Sequence, residues 1–277
     1  GKGGQKIENT GPLTKKRMET VDEEFLAAAK KFIKSQHDAG IPFFVWFNTS
    51  HMHAWTHAKP ESVGQAGRWQ SIYHDVMIDH DKCVGELLDY LDELGIADNT
   101  LVQYSTDNGP HMNTWPDAGT TPFRNEKNTS WEGAYRVPLM VRFPKLIKAG
   151  SVCNEIISHL DWFPTILAAA GDTEISEKLK KGYKVGDKTF KVHLDGYNLV
   201  PLLTGKTDKS PRKGFIYFTD DGDVAALRYD NWKLMFMVQN TPGTLKIWME
   251  PFVTLRTPYI FYLRTYPYDH SEITTNA

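Results

Sequence analysis

Two polar loops hold the residues whose types and spacing suit chemistry. The first, within "NTSHMHAWTHAKPESVGQAG", carries His51, His53, His57 and Lys59. The second runs from Asp107 to about Tyr135 and carries Asp107, Asn108, His111, Arg124, Lys127 and Glu132. Carboxylate and amide oxygens suit a hard cation such as Ca2+, which takes roughly six to eight oxygen ligands. An imidazole of near-neutral pKa suits proton transfer, and an ammonium suits the charge on an oxyanion. Gathered on one rim, these groups would hold a cation and an oxyanion together. Each also has a plainer reading. Asp-Asn-Gly is a common turn, and the lysine of "KNTSWEG" is of a kind usually solvated. His-x-His with a third histidine suggests zinc, but no Cys or acid completes a familiar spacing.

The surrounding pattern gives both loops a place. Thr20 and Glu23 form a T-x-x-E capping box ahead of "EEFLAAAKKFIKSQHDAG", where Phe25, Ala28, Ala29, Phe32 and Ile33 recur at helical spacing. "FFVWF" (Phe43 to Phe47) reads as a strand covered on both faces and leads into the first loop. An amphipathic helix from about Trp69 to Leu94 follows, then a strand from Leu101 to Thr106 that leads into the second loop. That loop is too long for a mere connection. "VPLMVRFP" is another buried strand and "LDWFPTILAAAG" a helix ending at Gly171. The alternation predicts an α/β fold with a mostly parallel sheet, whose ligands lie beyond the strand carboxyl ends. After about residue 173 the pattern changes to short alternating segments, "YKVGDKTFKV", "GFIYF", "VAALRYDNWKLMFMV" and "TLKIWMEPFVTL", with "YDNW" as a hairpin turn. The expected division is 1–172, an α/β part, and 173–277, a small antiparallel subdomain.

The bulk composition excludes some partners. Of 277 residues, 40% are hydrophobic and 24% charged, with a formal charge of -2. That balance gives no reason to expect nucleic acid or an anionic membrane surface as partner, and no stretch approaches the roughly 20 apolar residues of a membrane helix. The two cysteines, Cys83 and Cys153, have no partners at metal-ligand spacing and read as packed thiols. "GKGGQKIENTGPLTKKRMET" lacks an initiator Met and reads as a loop cut from a longer protein.

Six segments taken in order resemble the sulfatase family of the alkaline phosphatase superfamily. They are "FFVWFNTSHMHAWTHAKPE", "YHDVMIDHDKCVGELLDYLDELGIADNTLVQYSTDNG", "KNTSWEGAYRVPLMVRFP", "HLDWFPTILAAAG", "DGYNLVPLLTG" and "LRTYPYDHSEITTN". The resemblance implies an alkaline phosphatase-like α/β fold and hydrolysis of sulfate monoesters, of aryl groups or sugars. It implies that His53 contacts the sulfate and protonates the leaving oxygen; Trp55 stands where the family has a proline, so His51 stays open for that role. It implies that Asp107 and Asn108 ligate Ca2+ (or Mg2+) and that Lys127 binds sulfate. Trp55, Trp115 and Trp131 are candidates to stack on a sugar or aryl ring, which favours a saccharide sulfate. The parent of such a chain is expected in the periplasm or outside the cell.

The family's formylglycine nucleophile is made from Cys or Ser within C/S-x-P/A-x-R. Neither "KCVGE" nor "VCNEI" fits that pattern, and the acidic pair that completes the family's metal site is not found. The chain therefore reads as the C-terminal portion of a sulfatase, inactive by itself, with a sheet edge open to self-association. Three rival readings remain: a phosphodiesterase or phosphonate hydrolase of the same superfamily, a non-catalytic module binding anionic glycans, and a structural zinc protein.

Overall fold

The computed structural model describes residues 7–112, 114–119, 121–241 and 245–270. The opening glycine-rich residues and the final "SEITTNA" lie outside the described residues. A one-turn helix, α1 (Lys15–Met18), is capped by the Thr14 hydroxyl, which accepts from Arg17 N at 3.2 Å. It leads into α2 (Val21–Asp38). The expected capping box does not form there. Thr20 makes no side-chain cap bond, and the Glu23 carboxylate instead accepts from the Lys59 ammonium of the first loop. Asp22, Glu23 and Glu24 still place negative charge in the first turn, where the helix dipole favours it.

The long helix α3 (Ile72–Glu93) packs on α2 around Ile33, Leu91 and Ala97, with Phe43, Val45 and Val102 against the same cluster. The run 43–47 is therefore half of what its sequence predicts. Phe43 and Val45 face the helices, whereas Phe44 is 63% and Trp46 81% exposed. Although extended, 43–47 belongs to no hydrogen-bonded ladder among the described residues. Strand β1 (Val102–Ser105) packs on the same cluster but pairs antiparallel with β2 (Leu139–Arg142), Val102 facing Arg142. The mostly parallel sheet expected from the alternation is thus not seen. Every ladder among the described residues is antiparallel, because 43–47, the segment that should run beside β1, has no strand bonded to it.

Between β1 and β2 lies a short helix, α4 (Glu132–Tyr135). After β2 come α5 (Trp162–Ala169) and α6 (Ile175–Lys181), the hairpin β3–β4 (Tyr183–Val185, Lys188–Phe190) and α7 (Val200–Leu203). The buried Arg212 guanidinium holds this region together: it donates to both Asp161 oxygens, at 2.7 and 2.8 Å, and to the Asp195 carbonyl.

The antiparallel sheet expected after residue 173 is present, with four strands in the order β5 (Gly214–Phe218), β6 (Val224–Tyr229), β7 (Trp232–Val238) and β8 (Val253–Tyr262). "YDNW" makes the predicted β6–β7 turn, with Asp230 at φ 48°. "TLKIWMEPFVTL" is not one strand: Leu245–Trp248 forms a 3-10 turn ahead of β8. Tyr217, Ala226, Met235 and Phe261 build the sheet's core around Trp131, which the second loop supplies. Cys83 is buried as expected, but Cys153 is exposed rather than packed.

A buried histidine ties α3 to both site-bearing segments. His80 Nδ1 lies 3.1 Å from the Thr49 hydroxyl and Nε2 3.0 Å from the Tyr104 hydroxyl. Burial pushes its pKa below the ordinary 6.5, and nearby His51 adds to this, against the opposing pull of Asp22 and Asp81. The folded state therefore favours neutral His80. The stability gained is complete above the unfolded value and is lost as pH falls through the lowered folded value. Thermal melts between about pH 7 and about pH 5 should show a smaller acid-induced loss in His80→Gln than in the unsubstituted chain. Equal slopes in the two proteins would contradict this account.

Candidate active site

The second loop is folded back on the end of β1 by three backbone bonds. Gly109 N donates to Ala134 O at 2.8 Å, Lys127 N to Pro110 O at 2.9 Å, and Gly133 N to Arg124 O at 2.8 Å. The Lys127 backbone is thereby held at Pro110, two residues beyond Asn108. The approach is so close that two positions tolerate only glycine. A Cβ on Gly109 would lie 1.8 Å from Gly133 O, and one on Gly133 would lie 2.1 Å from Asn125 O. Both obstacles are backbone. Gly133→Ala should destabilise the fold by about 1–3 kcal/mol as overpacking does, measured by urea unfolding. A loss below about 0.5 kcal/mol would mean that the loop is not so tightly closed.

Asn125 and Asn128, at φ 63° and 68°, turn the loop and donate their side-chain amides to Thr241 O (3.1 Å) and Ile247 O (2.8 Å). The C-terminal subdomain therefore grips the loop on either side of Lys127. Asp107, Asn108, Lys127, His159 and Trp248 line one open groove of about 1520 Å³, and His159 Nε2 lies 2.9 Å from Thr106 O.

His51 and His53 divide their roles by burial. His51 is buried: its backbone N–H donates to Asp22 Oδ2 at 3.0 Å, and its ring lies 3.2 Å from the same oxygen and 3.1 Å from Met18 O. The Thr56 hydroxyl braces the loop, donating to His51 O and, at 2.8 Å, to His53 O. His53 is left exposed. The pKa of His111 is lowered chiefly by burial and further by the Lys127 and His53 charges. His53 does not line the groove that holds Asp107, Asn108 and Lys127, so the groove gathers the second loop's groups without the first loop's histidine. The neutral ring of His111 accepts from the Trp248 indole N–H at 3.1 Å, with the rings edge to face.

The other candidates are placed differently. Lys59 pairs with Glu23. Trp131 is 0% exposed and donates its indole N–H to Gln239 O at 2.7 Å, so it is core and not a stacking platform. Trp115 lies against Tyr73, ring centroids 6.0 Å apart, while Trp55 is 75% exposed. Arg124 lies 3.5 Å above the Trp131 ring and donates to Asp269 O. Glu132 is buried and accepts from Lys233, Arg136, Arg228 and Tyr217. Burial alone would raise its pKa, but Lys233, Arg136 and Arg228 outweigh it and hold the carboxyl down to about 2. Trp248 had no signal in the sequence, because its local pattern reads only as part of a strand; His159 opens the family-like segment "HLDWFPTILAAAG" but was not singled out in it.

The donor set expected for a cation is incomplete. The Asn108 side-chain NH2 donates to Gly109 O at 2.8 Å, which leaves its amide oxygen free to accept. With Asp107 this gives about two or three of the six or more oxygens that Ca2+ takes. Among the described residues no group of three or more His, Cys, Asp or Glu is placed to hold a metal. These residues by themselves therefore do not fit a resident Ca2+ or Mg2+. Calorimetry should detect Ca2+ binding no tighter than about millimolar, and micromolar affinity would contradict this donor count.

Comparison with known proteins agrees with this architecture. The family model described as Sulfatase matches residues 4–172. Human steryl-sulfatase is 26% identical over 80% of this chain and 37% of its own length. Human N-acetylgalactosamine-6-sulfatase is 32% identical over 73% of this chain and 35% of its own. The crystal structure of PsFucS1 sulfatase from Pseudoalteromonas sp. superposes with a TM-score of 0.83 at 28% identity, covering 98% of this chain and 52% of that one. The chain thus spans about a third to a half of the length of the proteins it matches.

Proposed function

Because the chain belongs to the sulfatase family, we propose that the protein to which these residues contribute hydrolyses sulfate monoesters of small molecules or saccharides. The observation that carries this reading is that Lys127 lines one groove with Asp107 and Asn108, with the Lys127 and His53 charges both acting on His111. In this reading Lys127 holds a sulfate oxygen through a charge-assisted bond. Exposed His53 gives a proton to the departing ester oxygen, and buried His51 sets the loop that presents it. Asp107 and Asn108 contribute two oxygens to a divalent cation whose remaining ligands these residues do not provide. The family's formylglycine supplies the nucleophile that attacks sulfur.

Three further points belong to the same proposal. The division at 172 and 173 is supported by the end of the family match and by the four-stranded antiparallel sheet that lies wholly after it. The parallel sheet would form when a strand from elsewhere in the protein pairs with the backbone edge of 43–47. Left uncovered, that edge favours self-association. A periplasmic or secreted location follows from the family resemblance; no helix among the described residues is long and apolar enough to cross a membrane.

The test is titration of the chain with inorganic sulfate, followed by NMR. Lys127→Ala should weaken binding at least about tenfold, as loss of a charge-assisted bond does. Sulfate binding that ignores this substitution would overturn the site assignment.

A further inference from the structure

Trp248 is not among the residues that the sequence put at the site, and it comes from the far subdomain. Its side chain is nonetheless built into the rim. The preceding Ile247 is buried at 1% exposure, and its carbonyl accepts from Asn128 at 2.8 Å. On the other side, the Glu250 carbonyl accepts from the Gln239 side chain at 2.6 Å. The turn that carries Trp248 is therefore pinned at both ends. The indole itself is oriented by its N–H bond to His111, yet it stays 49% exposed and faces the groove.

Two consequences follow from that arrangement. With its only donor committed to His111, the indole offers a ligand nothing but carbon surface. Donating that proton also enriches the ring's electron density, which suits polarised C–H groups approaching its face. The Lys127 ammonium lies 5.9 Å from the Trp248 ring centre. A sulfate oxygen held about 2.8 Å from that ammonium would set the carbon skeleton of the ester beside the indole.

We propose that Trp248 is a specificity-determining residue: it receives the C–H face of a pyranose ring whose sulfate is held by Lys127. This rests on the site reading above, and it narrows the substrate class to sulfated saccharides. The lysine supplies affinity for any sulfate, and the indole selects the alcohol. His111 acts as a positioning residue, holding the ring edge-on so that one face stays open.

The experiment uses the full 277-residue chain and ligand-detected NMR with three probes: inorganic sulfate, phenyl sulfate and a methyl galactoside 6-sulfate. The sugar sulfate should bind about tenfold tighter than inorganic sulfate, the size of one aromatic contact. Trp248→Ala should erase that preference and leave inorganic sulfate unchanged, while Trp248→Phe, which keeps a ring face, should retain most of it. The inference is overturned if Trp248→Ala keeps the preference, or if it weakens inorganic sulfate equally, since the ring would then only support Lys127. A Trp248-dependent preference for phenyl sulfate over the sugar overturns the saccharide assignment. Absent sulfate binding, or binding indifferent to Lys127→Ala, is a different failure: it removes the site reading itself.

Discussion

Replacing Lys233 with methionine should destabilise the chain by about 3–5 kcal/mol, the cost of stranding a buried charge. The Lys233 side chain is fully buried at 0% exposure, and its ammonium donates to Glu132 at 3.1 Å and to Asp269 at 2.7 Å. It also lies 4.6 Å from the centre of the Tyr217 ring. Methionine keeps most of the volume, so little of the loss is a cavity. What remains is a pair of buried carboxylates. Arg136 and Arg228 still face Glu132, whereas Asp269 loses its ion-pair partner. Burial and the nearby Glu132 charge already push the Asp269 pKa up. A typical domain is stable by only about 5–15 kcal/mol, so the loss is a large share of the total and should lower the urea midpoint clearly. The control is Lys178→Met, which removes a partly exposed pair with Asp172 and should cost about 0–1 kcal/mol. Urea midpoints compare the two directly. A Lys233→Met loss no larger than the control's would mean that the network carries no net energy. The result also bears on the site, because Glu132, Trp131 and Lys127 belong to one loop that this network ties to the C-terminal sheet.

The helices and the antiparallel subdomain were legible because their signals are local. Periodic apolar residues marked α2 and α3, and "YDNW" marked the β6–β7 hairpin. The direction of the first sheet was not legible. "FFVWF" looks like a strand buried on both faces, but hydrophobicity says which surface seeks cover, not which strand provides it, and here Phe44 and Trp46 have none. Asp107, Asn108 and Lys127 share a groove, as their motif-bearing loop led one to expect, whereas His53, expected beside them, does not line it. The sequence favoured His53 over His51 without closing the choice. Asp22, which immobilises His51, lies 29 positions upstream. Trp131 was misread for a related reason: an aromatic in a polar loop looks like a binding residue until the sheet that buries it is known. Trp248 is the mirror case, a tryptophan in a hydrophobic segment that the turn leaves facing the groove.

Aryl sulfate hydrolysis by the 277-residue chain alone should be lower by several orders of magnitude than that of a sulfatase carrying its formylglycine. A covalent route needs its nucleophile, and the C/S-x-P/A-x-R pattern does not occur in this sequence. The cysteines offer little substitute. The Cys83 thiol is buried, and burial, with nearby acidic residues, pushes its pKa up to about 11, far from the thiolate that attacks. Cys153 is exposed on the groove, but its attack on sulfur would expel the alcohol and leave a cysteine S-sulfonate, whose S–S bond water would have to break without the neighbouring hydroxyl that lets a hydrated aldehyde expel sulfate. The cation site is also short of ligands, so the equatorial oxygens would meet Lys127 but no tightly held metal. Groups that act as a unit are strongly non-additive; hence His53 and Lys127 should bind sulfate without turning the ester over. The assay is release of 4-nitrophenol from its sulfate by the purified chain, beside a formylglycine-bearing sulfatase as positive control. Cys153→Ala closes the remaining route: it should leave the residual rate unchanged. Turnover within about tenfold of the control would show that another nucleophile operates in this groove, and loss of that turnover in Cys153→Ala would identify it.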